Sequence, residues 1–130
     1  MSSHLQVTAI VAFGGAFGAI SRYWLNLLAV SLLGPGFPYG TLLVNVLGSL
    51  AIGVVYALVE HGIIASMPWR ALIGVGFLGA LTTFSTFSMD TLTLLHSGAF
   101  GQALANVLLN VLLCLIAVWF GHLLVVSRLT

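Results

Sequence analysis

The chain has 130 residues, of which 61% are hydrophobic and only 4% charged, with a net charge of +1 and a mean hydropathy of +1.23. A soluble domain carries about a quarter charged residues, so this composition excludes one and marks an integral membrane protein. The formal charges are Arg22, Glu60, Arg70, Asp90 and Arg128; they are too few and too dispersed for a nucleic-acid or acidic-surface partner, which need a concentrated basic patch.

Four apolar stretches follow in order, roughly Leu5 to Leu33, Thr41 to Val59, Trp69 to Leu95 and Ala99 to Val126. Each is near or above the roughly 20 residues that a spanning helix needs. Little chain is left over, so residues 1–130 read as one all-α transmembrane domain. The breaks are Gly34-Pro35-Gly36-Phe37-Pro38, Glu60-His61-Gly62 through Met67-Pro68, and His96-Ser97-Gly98, where proline and glycine end helices. No Lys or Arg precedes the first run and no clear small-residue cleavage site follows it. The first span is therefore expected to remain in the mature protein and not to be a signal peptide.

The informative residues are the polar ones inside these spans. In the first span, Arg22 would cost between about 2.5 and more than 10 kcal/mol at the bilayer centre unless it snorkels or faces water. It reads either as snorkelling towards the Gly34 side or as a fixed positive charge at the mouth of an anion route. Gly14 and Gly18 in the same span, Gly48 and Gly53 in the second, and Gly74, Gly76 and Gly79 in the third allow close helix approach. In the second span Asn45 is either an interhelical hydrogen-bond former, worth about 0.6 kcal/mol, or an amide donor aimed at an anion.

The third span holds Thr82-Thr83-Phe84-Ser85-Thr86-Phe87-Ser88, five hydroxyls and two aromatics in seven residues. Unsatisfied backbone in hydrocarbon costs several kcal/mol per group, so polar or non-helical chain at that depth survives only against protein or a water-filled cavity. Something polar is expected to bind or pass there. Phe84 and Phe87 share a helix face, and an aromatic ring has a positive edge. Two such edges suit a desolvated anion, with Asn45 and the Ser85 and Thr86 hydroxyls donating hydrogen bonds. Cations want carboxylates or carbonyls instead, and the interiors of the first and second spans hold no acidic residue. Asp90, just after the run, reads as a counter-charge to Arg22 or as a polar lining residue.

In the fourth span Asn106, Asn110 and Cys114 fall at i, i+4 and i+8, Val118 interrupts, and His122 continues the spacing. This stripe is either a helix contact glued by side-chain hydrogen bonds or the wall of an aqueous path. Cys114 reads as a small packing residue and His122 as interfacial. His4, His61 and His96 lack metal-ligand spacing. With four spans, the N-terminus, the Glu60 to Pro68 connection and the C-terminus share a side, near Arg70 and Arg128. That is a weak orientation signal, so the chain is expected to insert both ways round. So small a bundle leaves little packing around a passage, and an oligomer is expected.

The stretch Gly76-Phe77-Leu78-Gly79-Ala80-Leu81-Thr82-Thr83-Phe84-Ser85-Thr86-Phe87-Ser88, with Gly40-Thr41-Leu42-Leu43-Val44-Asn45 and Arg22-Tyr23-Trp24 upstream, resembles the Fluc (CrcB) family of fluoride ion channels, over essentially the whole chain. The resemblance implies four transmembrane helices with the third broken mid-membrane, in an antiparallel, dual-topology homodimer enclosing a pair of fluoride pores. It implies a multi-pass protein of the bacterial inner membrane that lets fluoride leave passively and protects the cell from its toxicity. Phe84 and Phe87 are similar to the family's pore-lining aromatics, Asn45 to its helix-two donor and Arg22 to its vestibule arginine. Ser85 and Thr86 lie in the broken segment. Asp90 stands where relatives often have glutamate. The backbone carbonyls of Gly79 and Thr82 are similar to those that hold a central structural sodium ion between subunits. Asn106 and Asn110 take the helix-four polar track, where relatives often hold tyrosine, serine or threonine, and Val118 departs from it.

A small multidrug-resistance-like proton-coupled exporter is the alternative of another class, since such proteins also have four spans and dual topology. It wants a membrane-embedded carboxylate where the first span offers Arg22. A non-transporting membrane subunit would leave the Thr82 to Ser88 run unexplained. An enzyme is not expected, because no nucleophile has a partner and no ligand cluster appears.

Overall fold

The computed structural model describes residues 2–130, and the regular elements among them are all helices. Among the described residues, four segments are long and apolar enough to cross a membrane, as the composition requires. Helix α1 spans Ser2–Leu33 and α2 spans Tyr39–Glu60. The third segment starts with a π-helix, Arg70–Leu78, continues as one turn of α-helix, α3 (Gly79–Leu81), and resumes after two non-helical residues as α4 (Phe84–His96). Helix α5 spans Phe100–Val126. The limits differ from the apolar stretches most at α1, which starts at Ser2 and not Leu5, because a polar first turn at an aqueous face costs a helix little.

Local chemistry accounts for the ends. Gly34 has φ +81° and Gly98 φ +80°, the left-handed conformation that glycine adopts without a Cβ penalty. The Gly34 N–H turns back to the Val30 carbonyl at 2.9 Å and the Gly98 N–H to the Leu95 carbonyl at 3.1 Å. Pro35 then prevents continuation of α1. In the π-helical segment the last bond runs from the Gly79 N–H to the Gly74 carbonyl, five residues back.

Packing divides the molecule. Helix α1 lies along the π-helical segment and α3 and touches α2, whereas α5 lies mainly along α2 and also receives α4; among the described residues α1 and α5 do not meet. Both main contacts are built by small residues. A Cβ on Gly14 would collide with the Leu72 carbonyl and one on Gly18 with the Phe77 carbonyl. Across the α2–α5 contact, Gly53 seats the Val118 carbonyl and Gly121 the Leu50 carbonyl, a reciprocal arrangement. In lipid no hydrophobic force presses helices together, so such backbone approach supplies the van der Waals attraction. The core is small: Val44, Val55, Leu78 and Leu81, with Leu25, Ile52, Ile73 and Phe77 packed against it. Apolar side chains such as Phe17, Trp24, Leu112 and Trp119 stand exposed along the outside, as a lipid-facing surface requires.

Candidate functional site

Thr82 (φ −81°, ψ 154°) and Thr83 (φ −152°, ψ 118°) are extended and separate α3 from α4. An extended residue directs its own N–H and C=O to one side, as in the hydrogen-bonded pair of an antiparallel ladder, so one primary amide can meet both. Asn45 of α2 does so. The Thr83 N–H donates to Asn45 Oδ1 at 2.8 Å, and Asn45 Nδ2 donates to the Thr83 carbonyl at 3.1 Å. The Thr83 N–H is thereby diverted from the Gly79 carbonyl, its helical partner four residues back. Thr83 Oγ1 accepts the Thr86 N–H at 3.1 Å and caps α4, which diverts that N–H from the Thr82 carbonyl. From α1, Arg22 Nε donates to the Ala80 carbonyl at 3.0 Å. Side chains of α1 and α2 thus satisfy backbone groups that a continuous helix would have paired internally.

A ladder of side chains extends from Asn45 into α5. Asn45 Nδ2 donates its second hydrogen to Asn110 Oδ1 at 3.0 Å. Asn110 Nδ2 donates to the Asn106 backbone carbonyl at 2.9 Å and to Asn106 Oδ1 at 3.0 Å. Asn106 Nδ2 donates to Thr91 Oγ1 at 3.0 Å, and the Thr91 hydroxyl donates to the Phe87 carbonyl at 2.8 Å. Asn106 is 0% exposed and Asn110 5%, and among the described residues no buried side-chain polar atom lacks a partner. A buried polar network of this kind is tolerable only when fully satisfied.

The aromatic pair reaches from core to surface. Phe87 is 7% exposed and Phe84 77%, with ring centroids 5.3 Å apart and planes at 61°, an edge-to-face arrangement. Both border a groove of about 480 Å³ together with Asn45, Gly79, Thr82, Thr83 and Asn110. Its remaining wall is largely apolar, including Ile52, Leu78 and Leu115. Ser85 is exposed beside it, its Oγ 3.3 Å from Thr83 Oγ1. Thr86 borders a second cavity, of about 350 Å³, with Asn26, Thr41 and Asp90. There Thr41 Oγ1 donates to Asp90 Oδ2 at 2.8 Å.

The structure therefore gathers Asn45, Phe84, Phe87, Gly79, Thr82 and Asn110 on one groove, with Ser85 at its edge and Asn106 in the wall behind. Thr86 faces the other cavity, and Arg22 approaches from the α1 side. Of the two readings of Asp90, the structure does not show the counter-charge: Arg22 meets a carbonyl and Asp90 a hydroxyl, and the histidine–carboxylate contact found among the described residues joins His122 Nε2 to Glu60 Oε2 at 2.9 Å. The freed Ala80 carbonyl on the adjoining turn is the nearer acceptor for the guanidinium. Of the two readings of Asn45, the interhelical bond is present, and both its Nδ2 hydrogens are in use. Sequence reasoning did not single out Thr83 as the bracketed peptide, Thr91 as the end of the ladder or Thr41 as the partner of Asp90. Thr83 and Thr41 stood in quoted motifs, but Thr91 carried no signal beyond being a hydroxyl four residues after Phe87. No group of three or more His, Cys, Asp or Glu positioned for a metal occurs among the described residues.

The chain matches the family described as "CrcB-like protein, Camphor Resistance (CrcB)" over residues 9–122. It is similar to a protein of Vibrio campbellii named fluoride-specific ion channel FluC, 56% identical over 117 residues that cover 90% of this chain and 92% of that one. A like-named protein of Vibrio vulnificus is 55% identical over 119 residues, covering 92% of this chain and 94% of its own. Another, of Shewanella amazonensis, is 56% identical over 118 residues, 91% of this chain and 94% of its own.

Proposed function

The chain belongs to the CrcB-like family, and we propose that it is a fluoride-selective channel through which the ion leaves the cell passively, in the bacterial inner membrane. The observation that carries the reading is the interrupted third segment: in a span of membrane length, two extended threonines stand beside an edge-to-face aromatic pair, of which Phe84 projects outward. Fluoride is small and strongly accepting. Its hydration is replaced by hydroxyl and amide donors and by the positive edges of the rings. Phe84 and Phe87 are the ring contacts, Ser85 and Thr86 the hydroxyl donors, and Arg22 the positive charge that draws the anion in. Asn45 donates by exchanging the Thr83 carbonyl for the ion while it keeps its bonds to the Thr83 N–H and to Asn110. Asn106 and Asn110 back this path through Asn45. The name shared by relatives at 55–56% identity supports the choice of anion. Nothing in the arrangement favours the proton-coupled exporter.

The functional unit is an antiparallel homodimer of chains inserted in opposite orientations. The open groove supports this reading, because Phe84, Gly79 and Thr82 line it from one chain and a second copy would close it. The small charge bias, Arg70 and Arg128 against Arg22, supports dual insertion. A structural sodium ion fits the donor set. Gly79 and Thr82 are the residues whose carbonyls lose their helical N–H partners to Asn45 and to the Thr83 hydroxyl, and carbonyl oxygens suit a hard monovalent cation. Gly79 and Thr82 would hold it between subunits, and its charge would stabilise backbone that lipid cannot.

Purified protein in liposomes is expected to release fluoride, read with a fluoride electrode, far faster than chloride. Phe84→Ile and Phe87→Ile should each lower the flux strongly without changing the elution profile. Equal leakage of both ions by the intact protein would sink the proposal. Cross-linking between inverted subunits tests the dimer separately.

A further inference from the structure

The ladder from Asn45 to Phe87 runs in one direction. The Thr91 hydroxyl spends its single hydrogen on the Phe87 carbonyl, which can only accept, so towards Asn106 it can only be an acceptor. That compels Asn106 to present Nδ2 to Thr91 and Oδ1 to Asn110. Asn110 then turns Nδ2 to Asn106 and Oδ1 to Asn45. Asn45 must answer with Nδ2, which leaves its Oδ1 for the Thr83 N–H and its other Nδ2 hydrogen for the Thr83 carbonyl. The Thr83 N–H, which can only donate, and its carbonyl, which can only accept, demand the same orientation of Asn45 from the other end. The two ends of the ladder therefore agree, and Asn45 turned over would lose its bonds to Thr83 and to Asn110 together.

Both ends of the ladder rest on the same short stretch of backbone, at Thr83 and at Phe87, with Phe84 between them. We propose that Thr91, Asn106 and Asn110 are positioning residues, which act through Asn45 to hold the extended Thr83 peptide and the first turn of α4 and so orient the Phe84–Phe87 pair, without touching the permeating ion. This rests on the channel reading above. Asn106 has no exposed surface and donates to Thr91 from Nδ2, and Asn110 Nδ2 donates to the backbone carbonyl and Oδ1 of Asn106. Burial keeps Asn106 from the ion, and contact through Asn110 Nδ2 would cost the ladder a bond.

The test compares wild type, Thr91→Val, which keeps the shape and removes the hydroxyl, and Thr91→Ser, which keeps the hydroxyl. Each full-length protein is reconstituted in liposomes for fluoride and chloride flux, and labelled in micelles for amide hydrogen exchange at Thr83. Thr91→Val should lower the fluoride-to-chloride flux ratio by about tenfold, the size set by one orphaned buried hydrogen-bonding group, and speed exchange at Thr83. Thr91→Ser should restore both. A Thr91→Val protein with wild-type selectivity and wild-type Thr83 exchange would overturn the proposal, as would failure of Thr91→Ser to rescue. Where Thr91→Val does not fold, wild type decides alone: during fluoride titration the Asn106 side-chain amide signals should stay in place while those of Asn45 move, and a fluoride-dependent shift at Asn106 would refute the proposal. Loss of fluoride flux in wild type would count against the channel reading, and Thr83 exchange in the Thr91 variants would still decide the positioning role.

Discussion

The third segment is held by different forces on the two sides of Thr82. Before it, the π-helical stretch lies against α1 with Gly14 and Gly18 seated on the Leu72 and Phe77 carbonyls, and its neighbours are fixed by backbone shape. After it, α4 keeps Phe87 as its buried residue and is held by directed hydrogen bonds: Asn106 to Thr91, Thr41 to Asp90 and Asn45 to the peptide at its start. Close packing suits a scaffold, because a single added atom costs it about 1–3 kcal/mol. Directed bonds suit a polar passage, because they orient groups in lipid where packing alone cannot choose between an amide's two ends.

That contrast breaks first at the glycines. Gly18→Ala places a Cβ against the Phe77 carbonyl, whereas at Gly15 the nearest atom, the Gly76 carbonyl oxygen, lies at an ordinary 3.9 Å. Gly18→Ala should therefore destabilise by about 1–3 kcal/mol or more and reduce the yield of monodisperse protein, while Gly15→Ala should unfold thermally like wild type. Equal effects would mean that α1 does not depend on this approach. Asn45→Leu comes next: it orphans the Thr83 N–H and carbonyl, each costing about 1–3 kcal/mol when buried. It should lower both the unfolding temperature and the flux of the liposome assay.

Smaller effects sharpen the comparison. Arg22→Ala removes the donor on the Ala80 carbonyl and should cost about 1 kcal/mol, largely recovered in Arg22→Lys if the lysine reaches that oxygen; thermal unfolding of the two variants checks this. His122→Ala removes the contact to Glu60, between side chains that are 43% and 56% exposed. Such pairs contribute about 0–1 kcal/mol, so neither unfolding temperature nor fluoride flux should change measurably. A large loss there would place a structural demand at the α2–α5 end that the geometry does not indicate.

Most of the fold was legible because hydrophobic length is a one-dimensional property. The apolar runs and the Gly-Pro punctuation set the helices, with ends displaced by a turn at most, as at Ser2. Within the site, the run from Thr82 to Ser88 stood out by its hydroxyls, and Asn45 by being an amide in a span. The partner of each polar group was not legible. Asp90 was consistent with a counter-charge to Arg22 or with a polar lining residue, and only the structure shows that the Arg22 guanidinium meets the freed carbonyl of Ala80, where α1 meets α3. The asparagine stripe on α5 was consistent with a wall or with a helix contact. That Asn110 meets Asn45 while Asn106 meets Thr91 depends on where α5 lies against α2 and α4.

The sequence by itself determined that this chain belongs in lipid, that it crosses in four segments, and that the third contains chain unsuited to hydrocarbon. Composition and periodicity suffice for that, since transfer free energy adds up residue by residue along the chain. Tertiary structure alone decided which side chains satisfy that misfit segment. A hydrogen bond needs its partner within about 3 Å and correctly aligned, and only the packing of α1, α2 and α5 around Thr82 and Thr83 brings Arg22, Asn45 and the asparagine ladder to those distances.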